Sequence, residues 1–494
     1  MVIDDIKSSF KNYSLVVLGT ILKALVGFGC LLIITHILSP ADYGRLNLFF
    51  MVTSLGSILL GWTQSAVVRF GKEEMLEREG FQKTFSSILF LFLINFSVAL
   101  ALFLAFRGKV INYVGFTHSG FSVVLLFPLY CFFSSANQIL LRFFQTDGKF
   151  SLYSFLPPLS RVVQIVLLAL AFSGAIKGEL TSILWIITVA EIAIFPVPVL
   201  FYIRRFLPLK LSSSWTKEIL LFAAPLFLSS VSGYILNFID IFIINHFLSK
   251  DMVGYYSLYY KLFEYLALIP SLTISITYPI YTTLHLEKKD NLLKQYIERI
   301  NPVFVFAGST VLGIVLMFHR EILSIFGSQF TANSGTFAIL VFVVALRLIG
   351  HPVSPIFSTH KLTKQAMYAT VIMSIANIIL DFLLVPCLGI TGAAVATGIS
   401  FLLATSICIS LIKKHTGISV WNGYPQILPA LLVLLVAVSV DNLPVRIILS
   451  ALLLALFYTI AKRDGIFGED TRYILEKIDM PAPVKSLVLK FFQP

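Results

Sequence analysis

The sequence predicts an all-α polytopic membrane protein of about fourteen transmembrane helices, built as two six-helix lobes in parallel repeat plus two extra helices. Three observations predict it. The 494 residues are 57% hydrophobic and 13% charged, with a mean hydropathy of +0.90, whereas a soluble domain carries roughly 25% charged residues. Apolar runs of bilayer-spanning length, about 20 residues each, recur along the whole chain. Finally, residues 33–50, IITHILSPADYGRLNLFF, align without a gap on residues 243–260, IINHFLSKDMVGYYSLYY. Ile33/Ile243, Ile34/Ile244, His36/His246, Leu38/Leu248, Ser39/Ser249, Gly44/Gly254 and Leu48/Leu258 are identical pairs.

The expected spans begin near Leu15, Leu46, Thr84, Gly120, Ser151, Ser182, Ile219, Tyr255, Pro302, Gly335, Ala366, Thr391, Ile427 and Val445. The first follows a short polar segment and is too long for a signal-peptide core, so it reads as an uncleaved span. Residues 1–205 read as the first lobe (spans 1–6), 206–217 as a basic cytoplasmic linker, and 218–415 as the second lobe (spans 7–12). Residues 416–464 carry spans 13 and 14, and 465–494 form a cytoplasmic tail. Each copy of the repeat is a helix end, a tight polar turn and a helix start. Six spans separate the copies, so both have the same orientation and the pseudo-axis runs along the membrane normal, as in carriers that rock about the interface between two halves.

Basic residues set the orientation. The side bearing both termini collects 26 Lys and Arg, the opposite side seven, and four lie within spans. Both termini are therefore expected in the cytoplasm of a plasma (inner) membrane protein. The net charge of +12 is scattered over short loops facing anionic lipid, which excludes nucleic acid as a partner. Cys30, Cys131, Cys387 and Cys408 all sit in or beside apolar spans and read as packing residues with no disulfide framework or zinc spacing.

Local features follow. Pro157, Pro158, Pro196, Pro198, Pro225, Pro270, Pro279, Pro352 and Pro355 interrupt spans and bend them, as gates or as static kinks. In GITGAAVATGIS, Gly389, Gly392, Ala393, Ala396 and Ser400 share one small-residue face for close helix packing. In EKKDNLLKQYIERI, Leu292, Leu293, Tyr296, Ile297 and Ile300 share an apolar face, as do Val484, Leu487, Val488 and Phe491 in the tail. Both read as helices lying in the headgroup layer.

A charge at mid-bilayer costs about 2.5–3.5 kcal/mol on insertion scales, so each needs a reason. The basic ones are Lys23, Arg161, Lys261 and Arg347; the acidic ones include Glu191, Asp240, Glu264 and Asp381. Asp240 lies eleven residues before Asp251 and Lys261 ten after it, level on antiparallel helices and able to pair. Glu264 is one turn from Lys261 and in reach of it. Arg161 and Glu191, sixteen before and fourteen after Lys177, are also level. These acids are the ion-pair or coupling candidates. Lys23 and Arg347 have no acid at the level positions of neighbouring spans, so they are expected to face a water-filled cavity that receives an anion.

The LSPADYG turn after span 1, the basic break Arg142 to Lys149 after span 4 and GITGAAVATGIS at span 12 resemble the Wzx-type oligosaccharide/polysaccharide flippases. These are the polysaccharide transporter family of the multidrug/oligosaccharidyl-lipid/polysaccharide exporter superfamily. The resemblance covers nearly the whole chain and implies a MATE-like, two-lobed bundle with a central cationic cavity formed by Lys23, Arg347, Lys261 and Arg161. It implies a polyprenyl-pyrophosphate-linked glycan as substrate, flipped for cell-surface polysaccharide synthesis such as O-antigen, with membrane lipids and other polysaccharide-assembly proteins as partners and no cofactor. In the related peptidoglycan-precursor flippases, basic residues of the first, second and eighth spans line the cavity. Lys23 and Lys261 fall in matching spans, while span 2 has no mid-membrane cation. The alternatives are a cation-coupled multidrug exporter of the same superfamily, against which spans 13 and 14 and the buried cations argue, and a membrane polysaccharide polymerase or ligase, against which the short outer loops argue. No nucleotide-binding loop, metal spacing or nucleophile constellation points to an enzyme.

Overall fold

The computed structural model describes residues 2–78, 80–116, 121–350, 353–464 and 466. The tail residues Val484, Leu487, Val488 and Phe491, and Pro352, lie outside them. Every regular element among the described residues is helical. Among the described residues, thirteen helices are long and apolar enough to cross a membrane. The run expected as an eighth span near Tyr255 is not among the thirteen: it is two helices, Lys250–Leu266 and Leu268–Leu286, interrupted at Ala267. Lys261 and Glu264 lower the hydropathy of the first, and neither piece matches an uninterrupted span.

The chain packs as two compact units, Met1–Phe242 with Ser249–Gly254, and Ile243–Leu248 with Tyr255–Pro494. Most of the seventh span thus packs with the first six, and the packing boundary differs from the expected lobe boundary at the basic linker.

The first unit holds α1 (Val2–Ile37), α2 (Pro40–Gly61), α3 (Gln64–Arg78), α4 (Gln82–Val114), α5 (Phe121–Thr146), α6 (Phe150–Phe172), α7 (Leu180–Ile194), α8 (Pro196–Phe206) and most of α9 (Ser213–Phe247). The LSPADYG turn is a helix start written in sequence. Ser39 caps α2 by accepting the Asp42 N–H at 3.2 Å, Pro40 takes the first helical position, and Asp42 holds Arg45 at 2.7 Å. Within α3, the buried Glu74 carboxylate accepts the N–H groups of Lys83 and Thr84 at 2.7 and 2.8 Å. It thereby satisfies two orphan donors at the positive end of α4. The linker is docked: Lys210 N–H donates to Ser86 Oγ at 2.8 Å and Trp215 Nε1–H to Thr84 Oγ1 at 3.2 Å. Around it Phe81, Phe85, Phe143, Tyr202 and Phe206 form an aromatic core, in which Phe85 and Phe206 stack at 3.8 Å.

The second unit holds the rest of α10 (Lys250–Leu266), then α11 (Leu268–Leu286), α12 (Asp290–Met317), α13 (His319–Ser324), α14 (Ser334–Gly350), α15 (Pro355–Thr359), α16 (Thr363–Leu388), α17 (Ile390–Thr416), α18 (Leu428–Ser439) and α19 (Leu443–Arg463). The small-residue face of α17 packs as expected. Ala393, Ala396 and Ser400 are buried, and a Cβ on Gly392 would overlap the Leu384 carbonyl of α16. The stretch expected in the headgroup layer is instead the start of α12. Leu293, Tyr296, Ile297 and Ile300 are buried in protein and only Leu292 is exposed, because neighbouring helices cover the face that lipid was expected to cover. Helices α18 and α19 pack on α12, and Leu454 of α19 meets Gly313. Two cations at helix starts, Arg320 and Arg446, are held by acids. Arg446, fully buried, gives Nη2 to both Glu321 oxygens at 2.5 and 2.6 Å, and Arg320 meets Asp441 at 2.5 Å.

Candidate functional site

The first unit contains a polar cavity of about 250 Å³ between α1, α3, α5 and α6. Close helix approach builds it. A Cβ on Gly19 would overlap the Ser154 backbone, so only glycine lets α1 seat this tightly on α6, where van der Waals contact holds membrane helices together. One turn further along the same face of α1, Lys23 enters the cavity wall. On α6, Pro157 and Pro158 line the cavity too. Having no N–H, they deny the carbonyls of Tyr153 and Ser154 their helical donors.

Opposite stand Gln64, Gln138 and Arg142. Arg142 Nη1–H donates to Gln145 Oε1 at 2.9 Å and Tyr153 OH at 3.2 Å. These bonds orient the guanidinium, and its Nη2 and Nε make no hydrogen bond among the described residues. A second cavity of about 90 Å³, lined by Ser57, Trp62 and Ser230, shares Gln64 and Gln138 with the first. The result is a polar tract with two cations and two carboxamides inside an apolar bundle. Such a tract suits an anion with hydroxyl groups attached: Arg supplies a planar fork, Lys a point charge, and the amides supply neutral donors and acceptors.

The cations selected from sequence are placed differently from one another. Lys23 lines the cavity. Arg161 is near it on α6 but turns to Gln164, donating from Nη1 at 2.7 Å. Its expected partner Glu191 instead accepts from Asn137 Nδ2 at 2.9 Å, so the level pairing of Arg161 with Glu191 is not formed. Equal depth brings two helices level but does not rotate their faces together. Lys261 meets Glu264 at 2.8 Å on its own helix, both half-exposed. Arg347 is held by aromatic rings: its guanidinium lies between Phe263 and Phe401, 4.4 and 4.1 Å from their centroids. Ring faces hold a desolvated cation, a partner that a search for acids does not find. Asp240 is buried in the first unit and Asp381 is fully buried on α16 in the second.

No motif in the sequence marks Arg142, Gln64 and Gln138 as cavity residues; Arg142 reads as part of the basic break after span 4, because charge runs mark loops. It is helical, in the penultimate turn of α5. The available signal was the tandem proline on α6, which exposes backbone polarity where a cavity is tolerated.

The second copy of the repeat reproduces the first in its backbone. Leu38 and Leu248 donate to Ile34 and Ile244 at 2.9 and 2.8 Å, and Tyr43 and Val253 to Ser39 and Ser249 at 2.8 and 3.2 Å.

The described residues thus form a polytopic helical bundle with a cationic polar cavity among the helices of its first unit. The chain belongs to the polysaccharide biosynthesis protein family, whose model matches residues 9–285, more than half of its length. It is 29% identical over 192 residues to a Haloferax volcanii protein named "Probable low-salt glycan biosynthesis flippase Agl15", covering 38% of this chain and 40% of that one. It is 25% identical over 182 residues to "Probable flippase AglR" of the same organism, covering 36% and 38%. The matched part thus spans about two-fifths of these relatives' length. A 20% identity to the Staphylococcus aureus "Capsular polysaccharide biosynthesis protein CapF" extends over 79% of this chain and 96% of that one. Among solved structures, the lipid II flippase MurJ in an inward closed conformation superposes with a TM-score of 0.64 at 18% identity, over 90% of this chain and all of that one. An inward-facing multidrug resistance MATE transporter gives 0.61 at 16%, over 80% and 94%. These two likenesses establish the fold.

Proposed function

We propose that this chain flips a polyprenyl-pyrophosphate-linked oligosaccharide from the cytoplasmic to the outer leaflet of the plasma membrane, by alternating access, in cell-surface polysaccharide synthesis. The observation that carries this reading is the convergence of Lys23 and Arg142 on one cavity with Gln64 and Gln138. A diphosphate is held by the two cations in a site of low dielectric, where charge-assisted bonds are strong. The glutamines and Tyr153 offer hydrogen bonds to sugar hydroxyls, and the prenyl tail stays in lipid between helices. The family and the two relatives named as flippases support the same reading.

Of the cations selected from sequence, Lys23 is assigned to the headgroup and Arg161 to shaping the adjoining wall of α6. Arg347 and Lys261, in the second unit, are assigned to the same anion at another stage of its passage. Glu191, Asp240, Glu264 and Asp381 remain the coupling candidates: Asp240 and Asp381 are buried acids on helices, Glu191 is partly buried, and Glu264 pairs with Lys261. Both termini are assigned to the cytoplasm. The protein acts as a carrier and not as an enzyme.

Reconstitution tests the reading. Proteoliposomes loaded with a fluorescent polyprenyl-pyrophosphate oligosaccharide should expose it on the opposite leaflet in a protein-dependent way, while the same polyprenol without its diphosphate should stay in place. Equal movement of both lipids, or of neither, overturns the proposal.

A further inference from the structure

We propose that His285, Asp290 and His360 form a binding site for one divalent transition-metal ion of the zinc type, and that this ion ties three helix ends of the second unit together. The site is independent of the transport reading above.

The three residues come from three elements. His285 is in the last turn of α11, Asp290 is the first residue of α12, and His360 caps the C-terminus of α15. One ligand atom from each lies within 4.8 Å of the other two. His285 Nδ1 is 2.8 Å from Asp290 Oδ1, and the two imidazoles lie 4.3 Å apart, inclined at 39°. Bonds of about 2.0–2.1 Å at tetrahedral angles require ligand atoms about 3.3 Å apart. The pair at 2.8 Å must open slightly and the third ligand must close by rotation of its side chain, within reach of two half-buried imidazoles and an exposed carboxylate.

A second observation points to the same site. His360 Nδ1 is buried and makes no hydrogen bond of ordinary geometry among the described residues, the Ile356 carbonyl of its own helix being the backbone acceptor nearest its ring. Buried ring nitrogens are ordinarily satisfied, and an orphan beside a second imidazole and a carboxylate matches an ion's position. The backbone holds these ends firmly. After α11, Lys289 N–H returns to Leu284 O at 2.9 Å and Lys288 N–H to His285 O at 3.0 Å. After α15, Leu362 N–H returns to Phe357 O at 2.6 Å and Lys361 N–H to Ser358 O at 3.2 Å. Both are the same helix-ending motif, and each is closed by a lysine at φ 57°, Lys288 and Lys361. That conformation usually falls to glycine. Two imidazoles and one carboxylate form a donor set that favours zinc, copper or nickel over magnesium or calcium, and they leave a fourth position for water. Loading exchanges the proton shared by His285 and Asp290 for the metal, so binding releases protons to the buffer.

The test uses the full-length protein in detergent, free of any affinity tag and stripped with chelator. Cobalt(II) and zinc(II) are titrated separately, by visible absorption and by calorimetry. One equivalent of cobalt with the intense spectrum of a tetrahedral ion is expected, displaced by zinc. H285A, D290N and H360A should each weaken zinc binding by about 100-fold or more, since loss of a mere supporting group already costs about 10–100-fold. H36A and H415A should leave it unchanged. Should the alanine variants fail to fold, H360Q and the wild-type cobalt spectrum decide. A six-coordinate, water-like spectrum, or zinc affinity unaltered by D290N and H360Q, overturns the site.

Discussion

Gly44 and Gly254 stand at the same position of the two repeat copies, and each faces the backbone of the other's turn. A Cβ on Gly44 would overlap the Lys250 carbonyl, and one on Gly254 would overlap the Pro40 carbonyl. Pro40 and Lys250 are themselves equivalent positions. Of the identities between the copies, the glycine pair is the one that their mutual contact requires, since any side chain there forces the two turns apart.

Gly44→Ala and Gly254→Ala are expected to destabilise the protein by about 1–3 kcal/mol each, the usual cost of overpacking. Because both act on one contact, the double variant should lose less than the sum of the single variants. Thermal unfolding in detergent measures this. Strict additivity would show that the two glycines do not share a contact.

In the cavity, Lys23→Ala and Arg142→Ala should each reduce substrate affinity by about one to two orders of magnitude, since a charge-assisted hydrogen bond contributes roughly 1.5–3 kcal/mol. Arg142→Lys should restore part of the loss, because a point charge replaces the charge but not the fork. The exposed Arg107 supplies the control. Glycan export normalised to membrane-inserted protein reads the effect, and wild-type export from both alanine variants would remove these residues from the site.

The buried Arg446 depends on Glu321 for both of its close oxygens. Glu321→Gln should lower stability toward the lower end of the roughly 3–5 kcal/mol for breaking a buried pair, because Glu321 itself is 39% exposed. Adding Arg446→Met should recover most of the loss. A double variant no better than Glu321→Gln alone would contradict an uncompensated charge as the cause.

Lys250 gives a pH signature. Burial, with the nearby Arg45 adding to it, lowers its pKa to about 8 from 10.5. The folded protein then binds the proton less tightly than the unfolded chain. The penalty is full below pH 8 and fades as pH rises toward 10.5. The melting temperature of the wild type minus that of Lys250→Met should accordingly increase between pH 8 and pH 10. A flat difference would show that the Nζ–H bond to the Tyr113 carbonyl, at 2.5 Å, offsets the burial.

By itself the sequence determined what depends on local chemistry. Apolar length defines spans whatever they pack against, and Ser39, Pro40 and Asp42 specify a helix start within four residues. The repeat at an offset of 210 announced two equivalent turns, and the small face on α17 announced close packing. Rotation about each helix axis was another matter. Arg161 and Glu191 are level yet turned to Gln164 and Asn137, and Arg347 is held by two aromatic rings rather than by an acid at its level. Arg142 reads as a loop cation in one dimension and stands opposite Lys23 in three. His285, Asp290 and His360 meet only because three helix ends converge. Depth follows from counting residues along a chain. Which side chains share a cavity depends on how neighbouring helices are turned, and that is set by packing contacts between segments distant in sequence, such as Gly19 against Ser154.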